Sequence, residues 1–241
     1  MGSYKLVSLD VFGTLIDLQN LHDSFWKALD GSIPPGSVNM YQTASNEIVF
    51  RMFERDSGSV DHFRSVRSMF EASFRELLLR FSLDFDPVEA ARLLISCHVD
   101  AQLYPDALPF MKAAGTAYPL CLSCDADNDM LSGPRRLHDF QDVFTSEDLK
   151  TYKLYGDGSF FRMVADRCGL RPAEIIHRGD SPIEVVGAQK AGLATCWLNR
   201  TGRVWPHHGR SDYEVHSLDE AARVLGVEAK YKVGDAACSD L

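Results

Sequence analysis

Four short stretches of the 241-residue chain carry side chains able to do chemistry together. In Leu9-Asp-Val-Phe-Gly-Thr-Leu15 a carboxylate, Asp10, closes an apolar run and is followed at once by a Gly13-Thr14 turn. A turn of this kind presents backbone N–H groups that hold an electrophile in front of the carboxylate, the arrangement nucleophilic catalysis requires. Leu122-Ser-Cys-Asp125 brings a hydroxyl, Ser123, with Cys124 beside it, to the end of a second apolar run. Lys153 follows the run Asp142-Val-Phe-Thr-Ser146. His177-Arg-Gly-Asp-Ser-Pro-Ile-Glu184 supplies Asp180 and, four residues on, Glu184. Each feature alone has a plain structural reading, and Asp-Ser-Pro in particular suits a helix start. Their order, with strand and helix between each pair, argues for one shared site.

The elements that must position them alternate. Lys5–Asp10 reads as a short core strand. Helix-like stretches are predicted over 18–30, 38–56, 60–82 and 87–102. In the third, Phe63, Val66, Met69, Phe70, Phe74, Leu77 and Leu78 recur at spacings of three and four and mark one buried face. Asp86-Pro87 supplies an N-cap and a first-turn proline for the fourth. Beyond Tyr104-Pro105 the rhythm becomes strand, helix, strand. Strands are predicted at 118–123, 142–145, 174–178, 193–198 and 213–216, with helices at 106–115, 158–168, 182–191 and 218–225. Crossovers of this kind build a parallel sheet whose ligands bind at the strand carboxyl ends. The expected architecture is an α/β, doubly wound core over residues 1–16 and 104–226. An inserted helical cap covers 17–103, and a flexible tail covers 227–241. Hinges are expected near Asp17 and Leu103-Tyr104-Pro105.

Composition narrows the partners. With 25 Lys+Arg against 34 Asp+Glu the net charge is −9, which argues against a nucleic-acid or anionic-membrane binder. No apolar run approaches the ~20 residues of a membrane span, and the N-terminus lacks a signal-peptide pattern, so a cytoplasmic protein, monomer or homodimer, is expected. Of six cysteines, only Cys121 and Cys124 form a C-x-x-C pair. In an extended strand their separation would be ~10 Å, too far for a disulfide, so buried thiols are the expected state.

Taken in order, the four stretches resemble the motifs of the haloacid dehalogenase superfamily, and the resemblance covers nearly the whole chain. Leu9–Leu15 resembles the first motif, Ser123 the second, Lys153 the third. Gly179-Asp-Ser-Pro-Ile-Glu184 is similar to the fourth, Gly-Asp-x-x-x-Asp, with Glu in the last place. Gly187-Ala-x-x-Ala-Gly192 follows the same pattern, and the insertion after the first motif resembles that superfamily's helical cap. The resemblance implies that Asp10 is the nucleophile of an aspartyl intermediate, that Thr14, Ser123 and Lys153 hold the electrophile's oxygens, and that Lys153 offsets crowded negative charge. It also implies a Mg²⁺ cage of Asp10, the Phe12 carbonyl, Asp180 and Glu184, since unscreened carboxylates would repel a phosphoryl group.

Phe12 departs from the pattern. The superfamily's phosphatases and mutases have an Asp there that protonates the leaving oxygen, and Phe has no proton to give. Three explanations follow: a leaving group that needs no proton, such as an acyl phosphate or a halide; another acid, such as His22 or Asp23 of the cap; or loss of rapid turnover. The superfamily's dehalogenase branch has an aromatic residue at this position and uses no metal, yet resembles Ser-Ser-Asn where this chain has Gly179-Asp-Ser181. An unneutralised Asp180 would repel a haloacid. On these grounds the expected activity is Mg²⁺-dependent hydrolysis of a small phosphate ester or acyl phosphate. The alternatives are metal-independent dehalogenation of a 2-haloacid and non-catalytic binding of a phosphorylated ligand.

Weaker features have structural readings. The cap arginines suit a solvated helix face, with Arg51 and Arg64 the candidates for contact with an anionic substrate. Asp125, Asp127 and Asp129 read as an acid cluster at a helix N-terminus. Gly156-Asp-Gly158 reads as a helix cap, His177 as core, and His207-His208 as surface loop.

Overall fold

The computed structural model describes residues 4–29, 33–34, 36–56 and 63–228. Six strands, β1 (Leu6–Leu9), β2 (Leu120–Cys124), β3 (Asp142–Thr145), β4 (Ile175–Gly179), β5 (Ala194–Leu198) and β6 (Tyr213–Val215), form one parallel sheet in the order β3-β2-β1-β4-β5-β6. β1, β2 and β4 are buried along their whole length. They read as near-continuous apolar runs because helices cover both faces. On one face α5 (Ala107–Gly115) and α9 (Leu218–Val224) pack against Val7, Leu122 and Ile176. On the other α7 (Ser159–Cys168) and α8 (Pro182–Ala191) pack against Leu6, Cys121 and Ile175. A single helical turn, Ser146–Leu149, follows β3 and was not expected from the sequence.

The strand order reverses at β1, which has β2 on one side and β4 on the other, and ligands bind at such a switch point. Register settles what arrives there. Leu9 lies opposite Leu122 and Arg178, so the next residues, Asp10, Ser123 and Gly179, come level at the carboxyl edge. The Asp10 N–H continues the ladder by donating to the Arg178 carbonyl at 2.9 Å.

Four helices, α1 (Leu18–Ala28), α2 (Val38–Asp56), α3 (Val66–Phe81) and α4 (Pro87–Val99), make the cap and bury Phe25, Ile48, Met69, Phe74, Leu77 and Ile95 among themselves. Asp17 and Asp86 cap α1 and α4 through their side chains, and Ser65 caps α3. The predicted third helix therefore starts later than expected, its residues 60–62 lying outside the described residues. The fourth stops at Val99 because the chain beyond it is drawn back to the core. There Leu103 bridges Ile16, the Asp17 N–H donates to Gln102 at 2.9 Å, and the Tyr104 N–H donates to Leu15 at 2.9 Å. The two crossing segments expected as hinges are thus hydrogen-bonded to each other.

One acid of the Asp125–Asp129 series does not serve its own helix. Asp127 reaches across to the cap and accepts the Val66 and Arg67 N–H groups, both at 2.8 Å, while Arg67 pairs with Asp129 at 2.5 Å. The N-terminus of α3, with its unpaired donors and positive dipole end, is thereby capped from the core. Asp127→Ala should lower stability by about 1–2 kcal/mol, read as a fall of roughly 2–8 °C in Tm.

The Cys97, Cys121, Cys124, Cys168 and Cys196 thiols are free, as expected, and Cys121 and Cys124 lie within β2. Among the described residues no helix is long and apolar enough to cross a membrane. Residues 229–241 of the expected tail, and Cys238 with them, lie outside the described residues.

Candidate active site

Asp10 leaves the end of β1 almost fully buried. Lys153 reaches it from a 3₁₀ turn, Lys153–Tyr155, whose position is set by a residue the sequence reading gave another role. Asp125, just past β2, accepts the Lys153 N–H at 2.8 Å and the Leu154 N–H at 3.0 Å. The Lys153 ammonium donates to Asp10 Oδ1 at 2.5 Å and also to Glu184 Oε2. Glu184, on the first turn of α8, accepts the Ser181 N–H at 3.1 Å through Oε1, and His177 Nε2 lies 3.5 Å from its Oε2. Among the described residues Asp10 Oδ2, which is buried, has no partner. Of the two carboxylate oxygens, one is therefore fixed by an ammonium and the other is available for bond formation.

Two glycines permit this crowding. Gly13 has φ +91°, and a Cβ there would stand 2.7 Å from the Asp180 carboxylate carbon. A Cβ on Gly179 would stand 1.9 Å from Glu184 Oε1. Any side chain at either position would displace an acid of the site.

The charges are unequally shared. Burial alone would raise the Glu184 carboxyl, but Lys153 and His177 hold it down, to about 2. Burial pushes Asp10 up, to about 8; Lys153 opposes this, while Glu184 and Asp180 add to it. Burial also lifts Asp180, to about 7, with Glu184 adding to the shift and Arg203 opposing it. One ammonium thus faces two carboxylates, and the better-bonded Glu184 takes most of its field. Since a nucleophile must be ionised, kcat/KM of the metal-free enzyme should rise with pH through a limb at about 8. Glu184→Gln removes a negative charge from beside Asp10 and should move that limb to lower pH, which a pH–rate profile measures.

Asp10, Phe12, Cys124, Lys153, Asp180 and Glu184 line one cavity of about 350 Å³, joined by Asp125, Ser181, Leu18, Phe50, Leu154 and Arg203. Thr14 and Ser123 do not line it. Thr14 is buried with Oγ1 unpartnered. Ser123 Oγ accepts from Ser8 Oγ at 2.8 Å, and Ser8 Oγ lies 2.9 Å from His177 Nδ1, so this buried row runs beneath Asp10. His177 is core, as read from the sequence, but it is also coupled to Glu184.

Phe12 and His98 of α4 pack in a T-shaped pair, the ring centroids 4.7 Å apart. The side chain two residues beyond Asp10 is thus used to seat the cap. His22 lines a neighbouring chamber inside the cap, and Asp23 is exposed and accepts from Gln19 at 2.7 Å, so neither stands beside Asp10 as a substitute acid. Arg51 pairs with Glu76, and neither Arg51 nor Arg64 lines the cavity.

The arginine that lines the cavity is instead Arg203, which the sequence reading did not single out. Its guanidinium lies 3.6 Å from Asp180 Oδ2 and donates to the Asp180 carbonyl at 2.7 Å. Arg200 donates to the Thr14 carbonyl at 2.9 Å and pairs with Asp106 at 2.9 Å, tying the turn after Asp10 to the chain entering α5. Both arginines follow the carboxyl end of β5, in Asn199-Arg-Thr-Gly-Arg203. That is the same signal, polar residues after a strand tip, that marked the four stretches.

Among the described residues, one group of acids is close enough to share a cation. Oxygens of Asp10, Asp180 and Glu184 lie within 4.8 Å of one another.

A family profile described as haloacid dehalogenase-like hydrolase matches residues 4–192. The (S)-2-haloacid dehalogenase of Pseudomonas sp. (strain YL) is 23% identical over 226 residues, covering 90% of this chain and 93% of that protein. Two solved structures share the fold. The L-2-haloacid dehalogenase from Xanthobacter autotrophicus with chloropropionic acid covalently bound superposes with TM-score 0.79 at 17% identity, covering 92% of this chain and 98% of the other. The putative HAD-hydrolase YfnB from Bacillus subtilis bound to magnesium does so with TM-score 0.77 at 22% identity, over 92% and 98%.

Proposed function

The chain belongs to the haloacid dehalogenase-like hydrolase family, and from that premise we propose that it is a dehalogenase acting on a 2-halogenated carboxylic acid through Asp10. The observation that carries the reading is Phe12, committed to His98 and lining the cavity where a phosphatase would need its acid. A halide leaves as a stable anion and needs no proton. General acid catalysis, worth ~10² to 10⁴-fold in ester cleavage, is then dispensable. The named activity of the Pseudomonas relative supports the same choice over the phosphate-ester hydrolysis expected from the fourth motif.

Asp10 Oδ2 attacks the substrate's second carbon and a C–O bond forms as the carbon–halogen bond breaks, the electron pair leaving with the halide. Water then adds to the Asp10 carboxyl carbon, releasing a 2-hydroxy acid and regenerating the carboxylate. Lys153 holds Oδ1 throughout and fixes the attack direction. Asp180, raised to about 7, is the base that takes the proton of that water. The expected repulsion between Asp180 and a haloacid is met by Arg203, which sits against Asp180 and receives the substrate carboxylate. Arg203→Ala should raise KM about tenfold or more, with a smaller effect on kcat; an unchanged KM would remove Arg203 from the substrate's contacts.

A second reading is favoured by one observation, the acid group Asp10, Asp180 and Glu184. The residues fit a Mg²⁺ ion through the unpartnered Asp10 Oδ2 and through Asp180, two carboxylates being an ordinary protein share for this cation. Glu184 fits less well, since Lys153, His177 and the Ser181 N–H already occupy its oxygens. When bound, such an ion screens the carboxylates from a phosphoryl group, while Lys153 keeps Asp10 oriented. The deciding experiment is a panel of 2-haloacids and acyl phosphates with and without EDTA. Halide release that survives EDTA is the expected result. Phosphate release that EDTA abolishes, with no halide from any haloacid, would replace the first reading by the second.

A further inference from the structure

Beside the catalytic cavity lies a second one, inside the cap. Phe25, Trp26, Phe53, Phe70, Phe74 and Leu94, from all four cap helices, wall a chamber of about 220 Å³. Protein interiors are packed at crystal density and leave few voids larger than a water molecule. This one has room for on the order of seven water-sized groups. It adjoins the site, and Leu18, Phe50 and Leu154 line both cavities. Phe50, at this junction, is 55% exposed although large and apolar. The partition between the two spaces is the Phe12–His98 contact, with Phe12 on the catalytic side and His98 on the chamber side.

The lining admits no charged guest. Among the described residues it carries no Asp, Glu, Lys or Arg. Three of its polar groups are engaged with one another, Trp26 Nε1 donating to Gln42 and Gln42 donating to Asn46 at 2.9 Å, and His22 and Ser45 also line it. His98 is held neutral by burial, its pKa lowered to about 4. An apolar chamber adjoining a site whose cations, Lys153 and Arg203, suit an anionic head matches an amphipathic molecule.

We propose that the chamber is a substrate subsite, taking an unbranched alkyl or aryl substituent of about six to eight heavy atoms carried on the carbon that Asp10 attacks. The preferred substrates are then medium-chain 2-haloacids, and the proposal rests on the dehalogenase reading for the head group alone. Two measurements on the full chain test it. Calorimetry compares octanoate with propionate, which share a carboxylate and carry no leaving group. Kinetics compares 2-chloropropionate with 2-chlorooctanoate.

Octanoate should bind at least ~10-fold tighter than propionate, and kcat/KM should rise about threefold to fourfold for each methylene that enters the chamber. Ser45→Phe and Val49→Phe each fill the chamber from α2. Whichever of them melts like the parent protein should reduce the eight-carbon to three-carbon kcat/KM ratio at least ~10-fold. Octanoate binding no tighter than propionate, or a ratio unmoved in folded variants, overturns the subsite. Tight octanoate binding with no halide released from any chlorinated acid supports the subsite and removes the dehalogenase reading. Halide release from chloropropionate without preferential octanoate binding does the reverse.

Discussion

Asp10→Asn is expected to lower turnover by ~10⁴-fold or more on every substrate that the parent enzyme accepts, with binding largely retained. The amide keeps the shape of the carboxylate but cannot supply the electron pair that Oδ2 brings to the substrate. Because both readings use Asp10, the loss alone does not separate them, and the route of oxygen does. In a single turnover in heavy-oxygen water, with enzyme in excess over a haloacid, water opens the ester at the Asp10 carboxyl carbon. The label then enters Asp10, and the product hydroxyl carries the oxygen that Asp10 started with. On an aspartyl phosphate, water attacks phosphorus and the label leaves with phosphate. Mass spectrometry of the peptide containing Asp10 is thus expected to show one heavy oxygen. An unlabelled peptide beside a labelled product would refute ester formation on this residue.

The second large effect falls on stability as well as rate. Lys153 is buried between Asp10 and Glu184. Removing one partner of a buried ion pair leaves charge that neither water nor protein compensates, at a cost of about 3–5 kcal/mol. Lys153→Met should lose stability on that scale at pH 8, and turnover should fall ~10³-fold as Asp10 loses both its orientation and its counter-charge. The pH dependence has a definite sign. In the parent Lys153 holds Glu184 down, to about 2; without it, burial raises this carboxyl, which then takes up a proton as pH falls. The deficit of the variant should therefore shrink between pH 8 and pH 5. Adding Glu184→Gln should restore part of the loss at pH 8. Urea titrations at the two pH values, done as a double-mutant cycle, measure this directly. A deficit that stays constant with pH would mean that packing, rather than charge, is what Lys153 contributes.

The alternation of the chain made most of the fold legible. Continuous apolar runs such as Leu6–Leu9 and Leu120–Cys124 are what a sheet buried on both faces requires, and helix-period stripes such as Met69, Phe70, Phe74 and Leu77 are what a cap helix requires. Asp10, Lys153, Asp180 and Glu184 were readable because a parallel sheet delivers its strand ends to one edge, so residues after strands converge whatever the intervening length. Arg203 followed the same rule after β5 and was passed over because it ends a polar loop, where an arginine usually faces solvent.

Other features were beyond the reach of the sequence. That Asp125 fixes the Lys153 turn, and that Asp127 caps a helix of the opposite lobe, depends on the approach of segments 28 and 61 residues apart. Thr14 and Ser123 have the right spacing but lie outside the cavity, since the direction of a side chain near a strand end is set by local turn geometry and by neighbours such as Ser8. Spacing alone determined that three carboxylates and an ammonium share one edge of a parallel sheet, because chain connectivity and pleat leave little choice. Only the packed structure decided which acid the ammonium serves, which cation faces Asp180, and that an apolar chamber adjoins the site. Those outcomes depend on distances of a few ångströms between residues far apart in sequence, and no local pattern encodes them.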